Sequence, residues 1–178
     1  MDSTNICKLI YRNLYCSREL EALTSMVLKL YSEKLSGFLT MMNEVETILS
    51  LLSIESSKHA EMIDLILRFF EFDERVNNCD QIVGEPWNVL QNLIISINEG
   101  TPMDLHEFIN KQKWVENAIG EETYHKLLMP LVSRSIQLGC LEEHRANIVI
   151  DVLSKLKQDE EWHEELLKKL TYLKTPSQ

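Results

Sequence analysis

Two histidines, each standing close behind an acid, interrupt seams that are otherwise apolar at helical spacing. The first series runs Val45, Ile48, Leu52, Glu55, His59, Met62, Ile66, Phe69 and is apolar except at Glu55 and His59. The second runs Val149, Leu153, Leu156, Glu160, His163, Leu167, Leu170 and is apolar except at Glu160 and His163. In both, the polar pair falls at the centre of its run. Two further runs offer one central acid each. These are Glu21 within Ile10, Leu14, Ser17, Glu21, Thr24, Leu28, Tyr31, Leu35, and Glu122 within Val115, Ile119, Glu122, Met129, Val132. Glu19 competes with Glu21 and Glu121 with Glu122, because a phase error of one residue on a kinked or supercoiled helix moves the choice.

When four antiparallel helices of equal length align, residues near their midpoints share one level. Glu21, Glu55, His59, Glu122, Glu160 and His163 then converge on one buried layer. Burying four carboxylates with no compensating cation is heavily penalised in a low-dielectric core, and a metal removes that penalty. One acid from each of two helices, with an acid and a histidine from each of the other two, is the ligand set of di-iron and di-manganese helical sites. Two divalent ions would leave such a layer near neutral. Glu55 and Glu160 are then expected to bridge or chelate, Glu21 and Glu122 to act as terminal ligands, and His59 and His163 to hold one metal each, with open positions for an oxidant.

The elements that must position these residues are four long helices, expected at about residues 5–35, 39–71, 104–138 and 141–173 of one domain spanning residues 1–178. Ser36-Gly37 and Gly139 are helix stops, and Asp104 is a suitable N-cap. The first and second helices, and the third and fourth, are joined by connections so short that each pair must be antiparallel. The second and third are joined by a long crossover, residues 73–103, containing one short helix over residues 87–97. Two antiparallel hairpins joined by one long crossover predict an all-α, ferritin-like four-helix bundle. Pro130 predicts a kink near Lys126, where its missing N–H leaves a carbonyl unpaired.

Composition agrees and excludes other classes. The chain has 178 residues, is 44% hydrophobic, and has only five Gly and four Pro, which suits one helical core and little else. A formal net charge of −10, with Lys and Arg scattered among acids, argues against nucleic acid or anionic membrane as a partner. Every apolar stretch is interrupted by Asp, Glu or Lys before a membrane span is reached. The N-terminal segment, charged at Asp2, Lys8 and Arg12, reads as lacking a signal peptide. Cys7, Cys16, Cys79 and Cys140 form no C-x-x-C pair, so they are expected to be reduced structural thiols in a cytoplasmic protein.

The segments Leu52-Ser53-Ile54-Glu55-Ser56-Ser57-Lys58-His59-Ala60-Glu61-Met62 and Asp159-Glu160-Glu161-Trp162-His163-Glu164-Glu165-Leu166-Leu167 resemble the acid-histidine helices of the ferritin and rubrerythrin superfamily. The resemblance implies a non-haem di-iron centre, with manganese as an alternative, reacting with oxygen or peroxide. With no rubredoxin-like cysteine set, a peroxidase cycle would need a separate electron donor. The sequence departs from the family where Ser56, not an acid, stands three residues before His59, and where Thr24 stands seven residues before Tyr31. Those departures favour a second reading, a metal-free helical scaffold or interaction module with a degenerate site, dimeric through Trp-bearing surfaces. A third reading, an iron-storage cage subunit, fits the length but has no recognisable pore or short fifth-helix signature after Leu173. His106, His125 and His144 read as surface residues, Trp87, Trp114 and Trp162 as packing or interface residues, and the acids around Glu160 as a solvated face.

Overall fold

The computed structural model describes residues 3–35, 43–101 and 103–172, and among these every regular element is helical. In chain order they are α1 (Ser3–Leu35), α2 (Asn43–Leu67), α3 (Cys79–Val83), α4 (Glu85–Asn98), α5 (Leu105–Asn117), a π-helical segment (Ala118–Leu128), α6 (Met129–Gln137) and α7 (Glu143–Leu170). The expected stop at Ser36-Gly37, the start of the second helix at 39–42 and the end of the fourth at 173 lie outside the described residues.

α1 and α2 pack as an antiparallel pair, with rising positions on one facing falling positions on the other. Arg18 pairs with Asp64, Ser25 with Ser53 and Ser32 with Ser50. The small serines let the backbones approach, and Ser25 and Ser53 each donate to the other's carbonyl, at 2.7 and 2.9 Å. α5, the π segment and α6 form one continuous rod antiparallel to α7, with Glu116 opposite His163 and Glu121 opposite Lys157. α1 also runs antiparallel to that rod. Tyr31 stacks on Phe108 at 3.7 Å between ring centres, Tyr124 reaches Glu21, and Cys7 is joined to Cys140.

The seams that meet are the apolar stripes of the sequence on α1 and α7, whereas on α2 Leu49 and Ile63 take the buried places expected of Ile48 and Met62. Leu14, Leu28, Leu49, Leu52, Ile63, Leu153, Leu156 and Leu167 are fully buried, and each such side chain removed from water contributes roughly 1.5–3 kcal/mol. α1 is buried on more than one face because the crossover, α3 and α4, packs on its outer side. That crossover holds two helices where one was expected. Gly84, in the left-handed region at φ 76°, breaks the chain between them, and Pro86 then sits in the first turn of α4, where its missing N–H costs nothing. α2 stops at Leu67, short of the expected residue 71, as Phe70 and Phe72 turn in to pack their rings against Tyr11. α7 starts at Glu143, two residues later than expected, and its last helical residue is Leu170.

The expected reduced thiols are not what the structure shows. All four cysteines are paired, Cys7 with Cys140 and Cys16 with Cys79. Residues far apart in sequence were brought together by folding, which spacing along the chain could not reveal.

The expected kink also takes a different form. Around Lys126 the rod is widened into π winding over residues 118–128, ending just before Pro130. A π turn carries one residue more than the α pattern per hydrogen-bonded ring. One row of buried residues recurs every four positions along the rod, namely Phe108, Gln112, Glu116, Gly120, Tyr124, Leu128 and Val132, beside a second row that includes Ile109, Val115 and Ile119.

Candidate metal centre

The winding of the rod decides which acids point inward. An α-helical phase carried on from Ile119 would bring Glu122 into the core, but the wider turn passes over it and delivers Tyr124. Glu122 is exposed and bonded to Lys126 at 2.6 Å, and Glu121 faces His125 and Lys157 on the surface. The acid this rod contributes is Glu116, fully buried one turn before Gly120. On α2, Ser56 and His59 are the inward positions, so Glu55 lies one residue off the seam, partly exposed and bonded to Lys58 at 2.7 Å. Two of the six expected ligands, Glu55 and Glu122, are therefore not brought to the layer. Glu21, His59, Glu160 and His163 are, and Glu116 joins them.

These five are sealed from solvent, each at 2% exposure or less. Their atoms divide into two halves about Glu160. Its Oε1 lies 2.9 Å from His59 Nδ1, which is 3.6 Å from Glu21 Oε1. Its Oε2 lies 3.7 Å from His163 Nδ1, which is 3.2 Å from Glu116 Oε2. Each half thus has one imidazole, one carboxylate of its own and one oxygen of the shared Glu160. The two imidazole rings lie nearly parallel with centres 5.3 Å apart. Gly120 makes room for Glu160, since a Cβ there would stand 3.0 Å from the Glu160 Cβ. Tyr124 donates its hydroxyl to Glu21 and fixes that carboxylate.

The cluster is poorly served by its own hydrogen bonds. Glu21 Oε2, both ring nitrogens of His59, Glu116 Oε1, both oxygens of Glu160 and His163 Nε2 are buried without a hydrogen-bond partner. The 2.9 Å approach of His59 to Glu160 is close but lies outside the donor direction of the ring. Such orphaned atoms are rare in folded interiors. Ser56 and Thr24, buried one turn from His59 and Glu21, bond to carbonyls of their own helices and add no charge.

The chain matches no family model, no curated protein and no solved structure.

The electrostatics follow from three acids in a dry layer. Burial drives the imidazolium of His59 toward losing its proton, yet Glu160 and Glu21 outweigh burial and lift its pKa to about 11. The same opposition, with Glu116 and Glu160 as the acids, raises His163 to about 10. Glu116 is pushed up to about 8 by burial and by the neighbouring Glu160, with His163 pulling the other way. Tyr124 is held well above its usual range, first by burial and then by Glu21 and Glu160, and stays a hydroxyl donor.

All three cluster shifts act on stability in one direction. The histidines bind protons in the folded state well above their ordinary 6.5, so their contribution is complete below that pH and is lost as pH rises toward 10–11. Glu116, raised from 4.5 to about 8, loses its contribution across that interval. The melting temperature of the metal-free protein is therefore expected to fall steadily from pH 7 to pH 10. A midpoint that rises over that range in thermal melts monitored by circular dichroism would contradict the assignment.

The residues outside the cluster supply a second check. Glu55→Ala and Glu122→Ala are expected to leave any bound metal unchanged and to shift stability by no more than about 0.5 kcal/mol, as surface changes do. Loss of metal in either, measured by elemental mass spectrometry, would place that side chain back in the layer. His125 and His144 are exposed as expected, and His106 is partly buried. Asp159, expected on a solvated face, is only 21% exposed, with Oδ2 3.5 Å from His59 Nε2.

Proposed function

We propose that this chain is a ferritin-like four-helix bundle whose buried layer binds two divalent first-row metal ions, iron before manganese. The observation that carries the reading is the division of one set of unpartnered buried donors into two like halves about Glu160. Glu21 and His59 would hold one ion, Glu116 and His163 the other, and Glu160 would serve both. Carboxylate oxygens and imidazole nitrogens with no free thiolate suit iron and manganese better than soft-ligand metals. Ferritin-like connectivity is supported by the two antiparallel pairs joined through α3 and α4.

When bound, a pair of redox-active ions supplies electrons to oxygen or peroxide. The chain's own residues set the conditions for this chemistry. Leu156, Leu52 and Tyr124 help keep bulk water out of the layer, Tyr124 holds Glu21 at one oxygen, and Gly120 lets the π segment close over Glu160. With all four cysteines in disulfides, electrons for repeated turnover would come from a separate partner. Trp114 and Trp162, each 41% exposed, offer apolar contact area for a second copy or for that partner.

A metal-free scaffold remains the second reading, favoured by one observation. With both histidines protonated, the three acids face two cations and the layer comes close to neutral by itself. The orphaned atoms weigh against it, since a buried ion-pair network that stabilises a fold has its hydrogen bonds satisfied.

The deciding experiment is metal content by mass spectrometry after expression in medium supplemented with iron or manganese. About two ions per chain are expected, falling to near none in His59→Ala with His163→Ala. Absence of stoichiometric metal from the folded wild type would leave the scaffold reading.

A further inference from the structure

The five ligand residues are closed to solvent, so an ion must reach them through some neighbouring side chain. Asp159 is the charged residue that touches both sides. Its Oδ2 is 3.5 Å from Nε2 of His59, a nitrogen that is itself buried and without a hydrogen-bond partner. Its Oδ1 accepts from Lys155, whose ammonium is mostly exposed. The imidazole thus spans the gap, with Nε2 toward Asp159 and Nδ1 toward Glu160 and Glu21. Facing Glu160 from the rod, Gly120 leaves no room for even a Cβ, and Lys157 pairs with both Glu121 and Glu161.

We propose that Asp159 is the entry port of the buried layer, the carboxylate that first captures a divalent cation at the α2–α7 seam and passes it inward past His59. Lys155 is the cation already seated there, which the incoming ion displaces. This rests on the metal-binding reading and adds to it a route and a gate.

A port differs from a ligand in a measurable way. Neutralising a port raises the barrier crossed in both directions, so uptake and release slow by one factor and the equilibrium is unchanged. Neutralising a ligand, or a group that orients one, speeds release and weakens affinity. The probe is Co(II), followed by its visible absorbance in stopped-flow mixing with the full chain, with release measured by a chelator. Asp159→Asn is expected to slow uptake and release together by about ten-fold or more and to flatten the dependence of uptake on salt, since a local charge no longer steers the cation. Lys155→Gln is expected to speed both.

Unchanged rates in Asp159→Asn would overturn the port. So would faster release with weakened affinity, which would make Asp159 an orienting partner of His59. Failure of the folded wild type to take up Co(II) at all would remove the metal reading itself, and the port with it.

Discussion

Glu160→Gln is expected to reduce the metal content from about two ions per chain to near none, whereas Glu21→Gln and Glu116→Gln each remove about one. The reason is the sharing of Glu160. One oxygen faces His59 and Glu21, and the other faces His163 and Glu116. An amide keeps the shape but carries no charge, and it turns a donating –NH2 toward one of the two halves. That half is lost outright, and the other is left with a single carboxylate opposite a divalent ion. In the metal-free protein the same change strips the acid nearest His59 and leaves an imidazolium short of its partner. Breaking a buried pair in this way costs about 3–5 kcal/mol, so the metal-free variant is expected to melt well below the wild type. Metal per folded chain, with circular dichroism to confirm the fold, checks both parts. A Glu160→Gln protein that retains both ions would refute the division into halves.

The second large effect is expected from the disulfides. Cys7–Cys140 closes a loop with a sequence separation of 133 and Cys16–Cys79 one of 63. Cross-links spanning loops of this size restrict the unfolded chain most, and removing a native one costs about 2–5 kcal/mol. Replacing Cys7 and Cys140 by alanine is expected to cost more than replacing Cys16 and Cys79, in the order of loop length. Denaturant midpoints of the two double variants, and of the wild type with and without reductant, test this. Four free thiols in the purified protein, or a midpoint indifferent to reductant, would count against the pairing. Such bonds persist in oxidising compartments, or inside hyperthermophiles, which sets a condition on where the chain can work that the cysteine spacing did not suggest.

How much could be read beforehand differs from helix to helix, and for physical reasons. On α7 the buried positions follow the 3.6-residue period without interruption, so Glu160 and His163 were plain in the sequence. Glu21 was legible for the same reason. α2 was read one residue out of phase at Glu55. The three-residue step back from His59 lands on Ser56, which is buried and uncharged, and the nearest acid, Glu55, lies beside the seam. On the rod Val115, Ile119 and Val132 are buried as expected, but within the π segment the period widens and Glu122 falls outside. The sequence carries Gln112, Glu116, Gly120 and Tyr124 at four-residue spacing, whereas Glu122 stands at ordinary helical spacing from Ile119. Glu116 and Tyr124 were missed together, through one cause. Asp159 stands four residues before His163, as Glu55 does before His59, but its approach to His59 on another helix is not legible from spacing along the chain.

The π winding has a consequence for insertions and deletions. It acts as a phase adapter between two stretches of ordinary helix, one carrying Glu116 and the other leading to Cys140. Deleting the residue that the wide turns absorb, within Glu121–Thr123, would let the rod relax to α geometry with its phase kept, but forcing the full count of residues into uniform α geometry would rotate everything beyond by roughly 100°, one residue's share of a 3.6-residue turn. Val132 and Ser135 would swing away from the core, and Cys140 would face away from Cys7. The Cys7–Cys140 bond therefore keeps count of the residues in the middle of the rod, and whether it closes reports whether the helix beside the buried layer is wound with its extra residue.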